Sequence, residues 1–271
     1  MTRARFSAVL AYAACMFLGA GAVGAEERAL AGFDTEQLEL RLAYPRFGHA
    51  RVDAALAGFA AQELERRARD MEGEFGASGQ GKLARLEGSY TVFQPSPQAV
   101  SVLFELRATS PRWPAPRWYF ATRSYRLPTG EELALDGVFE HVPAALAIFA
   151  RRCPPRLLPR LLERHTQERL EMTWFLRTRL IVPGYPMPDG ADMEEFSRNG
   201  GDAPAMRLLE GVVRGTRAKA ENYKHFVLTP EGVRFQFEPL QLGGPEEGAP
   251  HVDLGLKELQ EAGPRLALWG K

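Results

Sequence analysis

Apolar and polar residues alternate over Leu38–Tyr44 with Leu38, Leu40 and Leu42 in phase, and that period of two predicts a strand ending at Pro45. From Val52 to Met71 the period lengthens: apolar residues at 52, 56, 59, 60 and 64 with charges between them predict an amphipathic helix, broken by the glycines of 73–81. Leu86–Phe93, Val100–Thr109 and Trp118–Leu127 return to strand spacing, separated by Pro95-Ser96-Pro97 and by the Pro-rich tip Ser110–Pro116. Strand, helix, then antiparallel meander is an α+β pattern rather than the regular alternation of a parallel sheet. Pro143–Ala150 and Arg156–Phe175 read as helices interrupted at Cys153-Pro154-Pro155. Val182–Pro204 reads as a long loop and Ala205–Ala220 as another helix. Phe226 and Leu228, then Val233, Phe235 and Phe237, alternate with polar neighbours on either side of Thr229-Pro230-Glu231-Gly232. Pro at the second and Gly at the fourth position suit a type I turn, so these strands form a hairpin. A Gly/Pro/Glu loop at Gly243–Pro250 leads to a last short strand at His251–Leu256. The fold expected is α+β, with an antiparallel sheet and a packed helix in the N-terminal part and helices plus a β-hairpin in the C-terminal part. No repeat of fixed period is present.

The first 25 residues change the setting. Arg3 and Arg5 precede an apolar run from Phe6 to Leu18 and the small residues Val23-Gly24-Ala25, which is the layout of a secretory signal peptide cut near Ala25. The run is shorter than the roughly 20 apolar residues of a membrane-spanning helix. A periplasmic or secreted protein is therefore expected, with no transmembrane segment after cleavage. Cys15 leaves with the signal, so Cys153 has no partner for an internal disulfide and reads as a small buried residue. The 34 basic and 34 acidic residues give a formal net charge of 0, which argues against nucleic acid as the main partner.

The terminal segment Asn222–Leu259 resembles the C-terminal domain of the PdaC/RsiV-like family of exported bacterial proteins. That family's pattern is an Asn, a strand ending in Leu-Thr, a Gly three residues on, an alternating strand ending in Phe-x-Pro, a Gly-rich loop, then Val-x-apolar and Glu-Leu. Leu127–Leu133, followed by Leu135, Gly137, Val138 and Phe139, resembles the family's junction between its two parts. The resemblance implies a signal peptide at 1–25, an N-terminal PdaC-like α+β domain at 26–130 and a C-terminal RsiV-like α+β domain at 131–271. It also implies a role in recognition at the cell envelope, as in lysozyme-sensing anti-sigma factors and the non-catalytic part of some peptidoglycan deacetylases. The chain departs from the family where aromatics are usual: Leu240 follows Glu238-Pro239, and Gly244-Pro245-Glu246-Glu247 fills the Gly-rich loop. The resemblance supplies a fold and a location but no reaction.

No residue set announces catalysis. Gly19-x-Gly21-x-x-Gly24 matches a dinucleotide fingerprint as a string, but it lies in the signal peptide and not between a strand and a helix. The histidines at 49, 141, 165, 225 and 251 are scattered, with no i, i+4 pair for zinc, and Asp189, Asp192, Glu194 and Glu195 lack the spacing of a calcium loop. No cofactor and no metal are expected. Arg152, Arg156, Arg160 and Arg164 recur every four residues, which reads as a solvated face. The tip Ser110–Arg117 is more informative. Prolines stiffen it, and Trp and Arg are the residue types that dominate binding energy. Trp113, Arg112 and Arg117 are the expected contact residues, with Trp113 either meeting a partner or folding back on the sheet. Tyr185 and Met187, in the stiff segment Val182–Pro188, are the second set. The function expected is non-enzymatic recognition of a lysozyme-like muramidase or cell-wall glycan. The alternatives are an envelope hydrolase built from scattered His and Asp/Glu residues, or a protein-interaction module.

Overall fold

The computed structural model describes residues 27–75, 84–113, 115–162, 204–242 and 250–271. The segment read from the sequence as a signal peptide (1–25), residues 163–175 of the expected helix Arg156–Phe175, residues 182–203 of the expected loop and residues 243–249 lie outside them. Contacts between Cα atoms divide the chain into two units. The first takes the chain up to Leu133 together with Val227–Pro230 and Leu266–Lys271; the second takes Ala134–Phe226 and Glu231–Arg265.

In the first unit, six strands form one mixed sheet in sequence order: β1 (Glu27–Asp34), β2 (Leu38–Arg46), β3 (Ala84–Ser96), β4 (Ala99–Thr109), β5 (Arg117–Arg126) and β6 (Glu131–Glu132). The meander β3–β4–β5 is antiparallel as its short Pro-containing connections require. The β2–β3 pair is parallel, from Leu38 opposite Ala84 to Leu42 opposite Gly88. Helix α1 (Ala50–Phe75) is the crossover between them, since parallel neighbours cannot be joined by a tight turn. One face of the sheet packs on α1. Leu38, Leu40 and Leu42 of β2, Val100, Val102, Phe104 and Leu106 of β4, and Val52, Leu56, Phe59 and Leu64 of α1 are all buried in one cluster. Burying side chains of this size is worth about 1.5–3 kcal/mol each, so this cluster dominates the unit's stability.

On the opposite face, Leu103 and Phe120 are covered by Val227. The Ser101 and Ser124 hydroxyls meet at 2.7 Å, and Ser101 also accepts from the Leu228 amide at 2.9 Å, so two buried polar groups are satisfied together. The C-terminal residues add Trp269, whose indole N–H donates to the Thr229 carbonyl at 2.8 Å. The Ser96 hydroxyl donates to the Leu268 carbonyl, also at 2.8 Å.

The second unit holds α2 (Leu135–Val138), α3 (Val142–Arg152), α4 (Pro154–Leu162), α5 (Pro204–Gly215) and α6 (Pro239–Leu242). The interruption expected at Cys153 is real. Pro154 and Pro155 bring no N–H to the ladder, and the Cys153 carbonyl instead accepts from the Arg156 and Leu157 amides at the start of α4. Phe139, Phe149, Tyr223, Phe235 and Phe237 form an aromatic core, with Phe149 and Phe235 centroids 4.4 Å apart and Tyr223 edge-on to Phe235 at 5.3 Å. Cys153 is buried and free, and burial pushes its thiol pKa up, away from reactivity.

The terminal strands form as the alternation predicts: β7 (Phe226–Thr229), β8 (Gly232–Gln236) and β9 (His251–Gly255), in that order. Gly232 has a spatial reason to be glycine, because any Cβ there would collide with the Leu254 carbonyl on β9. No helix among the described residues is long and apolar enough to cross a membrane.

Candidate functional site

Helix α1 and strand β5 run against each other along a seam built from arginines and aromatic rings. On β5, alternate residues 117, 119, 121, 123 and 125 face the helix. The Arg123 guanidinium lies 4.1 Å from the Phe59 ring centroid, and the Arg67 guanidinium lies 3.8 Å from that of Tyr119. At the end of the helix the Arg117 guanidinium lies 4.0 Å from the Trp113 ring. The arginine comes from the strand, then the helix, then the strand again. Each stack is worth about 0.5–2 kcal/mol, depending on how dry it is. Arg67 and Glu63 are among the few buried charged residues, at 7% and 5% exposure. The Glu63 carboxylate compensates its burial by accepting from Arg66 at 2.7 Å and Arg67 at 2.8 Å.

The tip Ser110–Arg117 hangs from the open end of this seam. Arg117 donates from both terminal nitrogens to the Glu74 carboxylate, at 2.6 and 2.9 Å, and the Trp113 indole N–H donates to the same carboxylate at 2.9 Å. The base of the loop is a Ser turn, with the Arg112 amide donating to the Ser110 hydroxyl and the Trp113 amide to the Ser110 carbonyl, both at 3.1 Å. The Arg117 guanidinium and, after it, the Trp113 indole hold the Glu74 carboxyl below its ordinary pKa, and the same bond raises Arg117.

Of the five residues singled out in the sequence, three are thus brought to one place: Trp113 half-buried against the seam, Arg117 locked to Glu74, and Arg112 exposed at the apex. Tyr185 and Met187 lie outside the described residues. Two neighbours carried no sequence signal. Glu74 is separated from Trp113 by 39 residues and no local motif marks it. Trp118, next to Arg117 but on the other face of β5, is 44% exposed. At the foot of the tip, Glu39, Ala84, Arg85, Thr109, Ser110 and Pro111 line a depression of about 350 Å³, in the lower range of small-ligand sites.

The Arg stripe of α3 and α4 is spent differently. Arg156 donates to Glu258 at 2.6 Å and to the Asp253 carbonyl, while Arg152 is exposed. Among the described residues no three of His, Cys, Asp and Glu gather as a metal site would need. The nearest acid–base contact is His225 Nε2 to Glu238 at 2.9 Å, with Lys224 at 3.3 Å from the same carboxylate. Leu30, Trp118 and Leu266 are the large apolar residues exposed among those described, and each stands in a different element.

The site is a cation-rich aromatic tip, held to Glu74 through Trp113 and Arg117, on an α+β scaffold. Two solved structures resemble the chain. One is a DUF3298 family protein of Pseudomonas aeruginosa PAO1, 11% identical, with a TM-score of 0.49 over 90% of this chain and 95% of that one. The other is a DUF3298 family member of Bacteroides fragilis NCTC 9343, 10% identical, with a TM-score of 0.42 over 91% of this chain and 97% of that one. No protein-family model and no curated protein matches the chain.

Proposed function

We propose that this chain is an exported protein with a PdaC/RsiV-like, DUF3298-type domain, acting at the cell envelope by recognition rather than catalysis, and that the Ser110–Arg117 tip is its contact element. The partner class is a lysozyme-like muramidase or cell-wall glycan. The observation that supports this reading is the clasp on Glu74. A loop already fixed by three hydrogen bonds to one carboxylate loses little conformational entropy on binding, which is where flexible loops lose affinity. Arg112 and Trp118 remain exposed on either side of it, the residue types that anchor protein and sugar contacts. The test is calorimetric titration of the purified protein into chicken-type lysozyme, alongside lysis of cell-wall substrate. Binding at micromolar affinity or tighter, about −8 kcal/mol, is expected, with an at least tenfold loss in Trp118→Ala and Arg112→Glu and an unchanged melting temperature. Binding that neither substitution touches removes the tip from the proposal. No heat with lysozyme or with muramyl glycan fragments overturns the recognition reading.

A further inference from the structure

Strand β1 is an edge that lacks the devices that keep edges apart. Such strands are normally shortened, bulged, or given proline or lysine, because their unpaired amides template pairing with another chain. β1 runs for eight residues in unbroken register with β2, from Glu27 opposite Arg46 to Asp34 opposite Glu39. It contains no proline and no lysine, and Ala29–Phe33 carries no charge. The Thr35 amide donates to the Leu38 carbonyl at 3.0 Å, so the odd-numbered residues of β1 turn their backbone groups to β2. Those of Arg28, Leu30 and Gly32 therefore point outward, and no strand among the described residues pairs with them. Leu30 is 38% exposed, an apolar side chain beside a glycine on an open edge.

We propose that β1 pairs antiparallel with β1 of a second copy of this chain, joining two six-stranded sheets through a two-fold axis at Ala31. A two-fold axis normal to the sheet keeps each residue on its own face, so registers differ by steps of two. With Ala31 on the axis, Arg28 stands opposite Asp34 of the second copy, Ala29 opposite Phe33, and Leu30 opposite Gly32, over which the Arg41 side chain passes to hold Asp34 of its own chain. Both ends of the ladder then carry opposite charges, Ala29 and Phe33 meet as apolar partners, and Leu30 faces the side chain of Arg41 over Gly32. Moving the axis to Gly32 sets Leu30 against Asp34. Moving it to Leu30 sets Glu27 against Phe33. The charge and size pattern of the strand selects one register.

Sedimentation velocity of the purified protein across a concentration series tests this. A monomer–dimer equilibrium is expected. Leu30→Pro removes an outward amide that plays no part in pairing with β2, so it should weaken the dimer at least about tenfold with an unchanged circular dichroism spectrum. Arg28→Asp should do the same without touching the backbone. Ala31→Cys places two thiols across a non-hydrogen-bonded pair, where Cα atoms are about 4.5 Å apart, and should yield a disulfide-linked dimer absent from the parent protein. A monomer at every concentration, or a dimer indifferent to both Leu30→Pro and Arg28→Asp, overturns the proposal. So does failure of Ala31→Cys to cross-link.

Discussion

The Glu74 carboxylate receives both terminal nitrogens of Arg117, a residue 43 positions away, at 2.6 and 2.9 Å, and so ties the end of α1 to the start of β5. The pair is partly exposed, with about 40% of each side chain in water, so its direct worth to stability is within about 1 kcal/mol. Its larger effect is on order in the tip. Glu74→Gln should lower the melting temperature by no more than a few degrees while speeding amide exchange at Arg112 and Trp113 severalfold. Exchange unchanged in the variant would show that the loop holds itself.

The His225–Glu238 contact sets a pH dependence in the second unit. The hydrogen bond from His225, and after it the charges of Lys224 and His225, lower the Glu238 pKa from the ordinary 4.5 to about 2. A carboxyl depressed in the folded state adds stability that is complete above its unfolded pKa and is lost as pH falls through the folded one. The window is therefore about pH 4.5 down to about 2. Glu238 is 41% exposed, so solvent screening cuts the effect to about 1 kcal/mol. Urea unfolding at pH 6 and pH 3 should show this loss in the parent protein and a smaller one in Glu238→Gln.

Two buried tyrosines should respond in opposite ways to loss of the hydroxyl. Tyr223 donates to the Thr216 carbonyl at 2.5 Å, and Tyr223→Phe should cost about 1 kcal/mol by leaving that carbonyl short of a partner. The Tyr125 hydroxyl is buried without a hydrogen-bond partner among the described residues, and burial pushes its pKa up to about 12. Tyr125→Phe should be neutral or stabilising by up to about 1 kcal/mol. Denaturant midpoints that fall equally in both variants would contradict the assignment.

Trp269 is 5% exposed and bonded to the Thr229 carbonyl, near the end of the chain. Trp269→Ala should destabilise by about 3–5 kcal/mol, the cost of emptying a large buried site and losing its indole hydrogen bond. Removing Leu266–Lys271 altogether should do at least as much. A thermal shift of only a degree or two in either variant would mean the C-terminal residues pack more loosely than the contacts require.

The strands that were legible in the sequence are those with one buried face. Leu38–Tyr44 and Val100–Thr109 alternate because every second residue enters the α1 cluster. β1 was not legible: as an edge strand its residues are exposed or half-buried on both faces, and Ala29–Gly32 has no period to read. The parallel β2–β3 pairing was hidden for a different reason, since the partners of a crossover lie beyond any local window. Glu63 and Arg67 look like the solvated side of an amphipathic helix, yet both are buried, because each neutralises the other beneath the Tyr119 ring. In the tip, residue types pointed to Trp113 and Arg117, but the carboxylate that fixes them sits at the far end of a helix whose charges are otherwise unremarkable.

The first unit is not contiguous in the chain. Its second sheet face waits for Val227–Pro230, and the Ser96 hydroxyl waits for the Leu268 carbonyl. Leu103 and Phe120 cannot be covered until Val227 has been made. Until then the nascent chain carries an unsealed apolar face. The strands of the sheet are therefore made well before the segment that seals their second face.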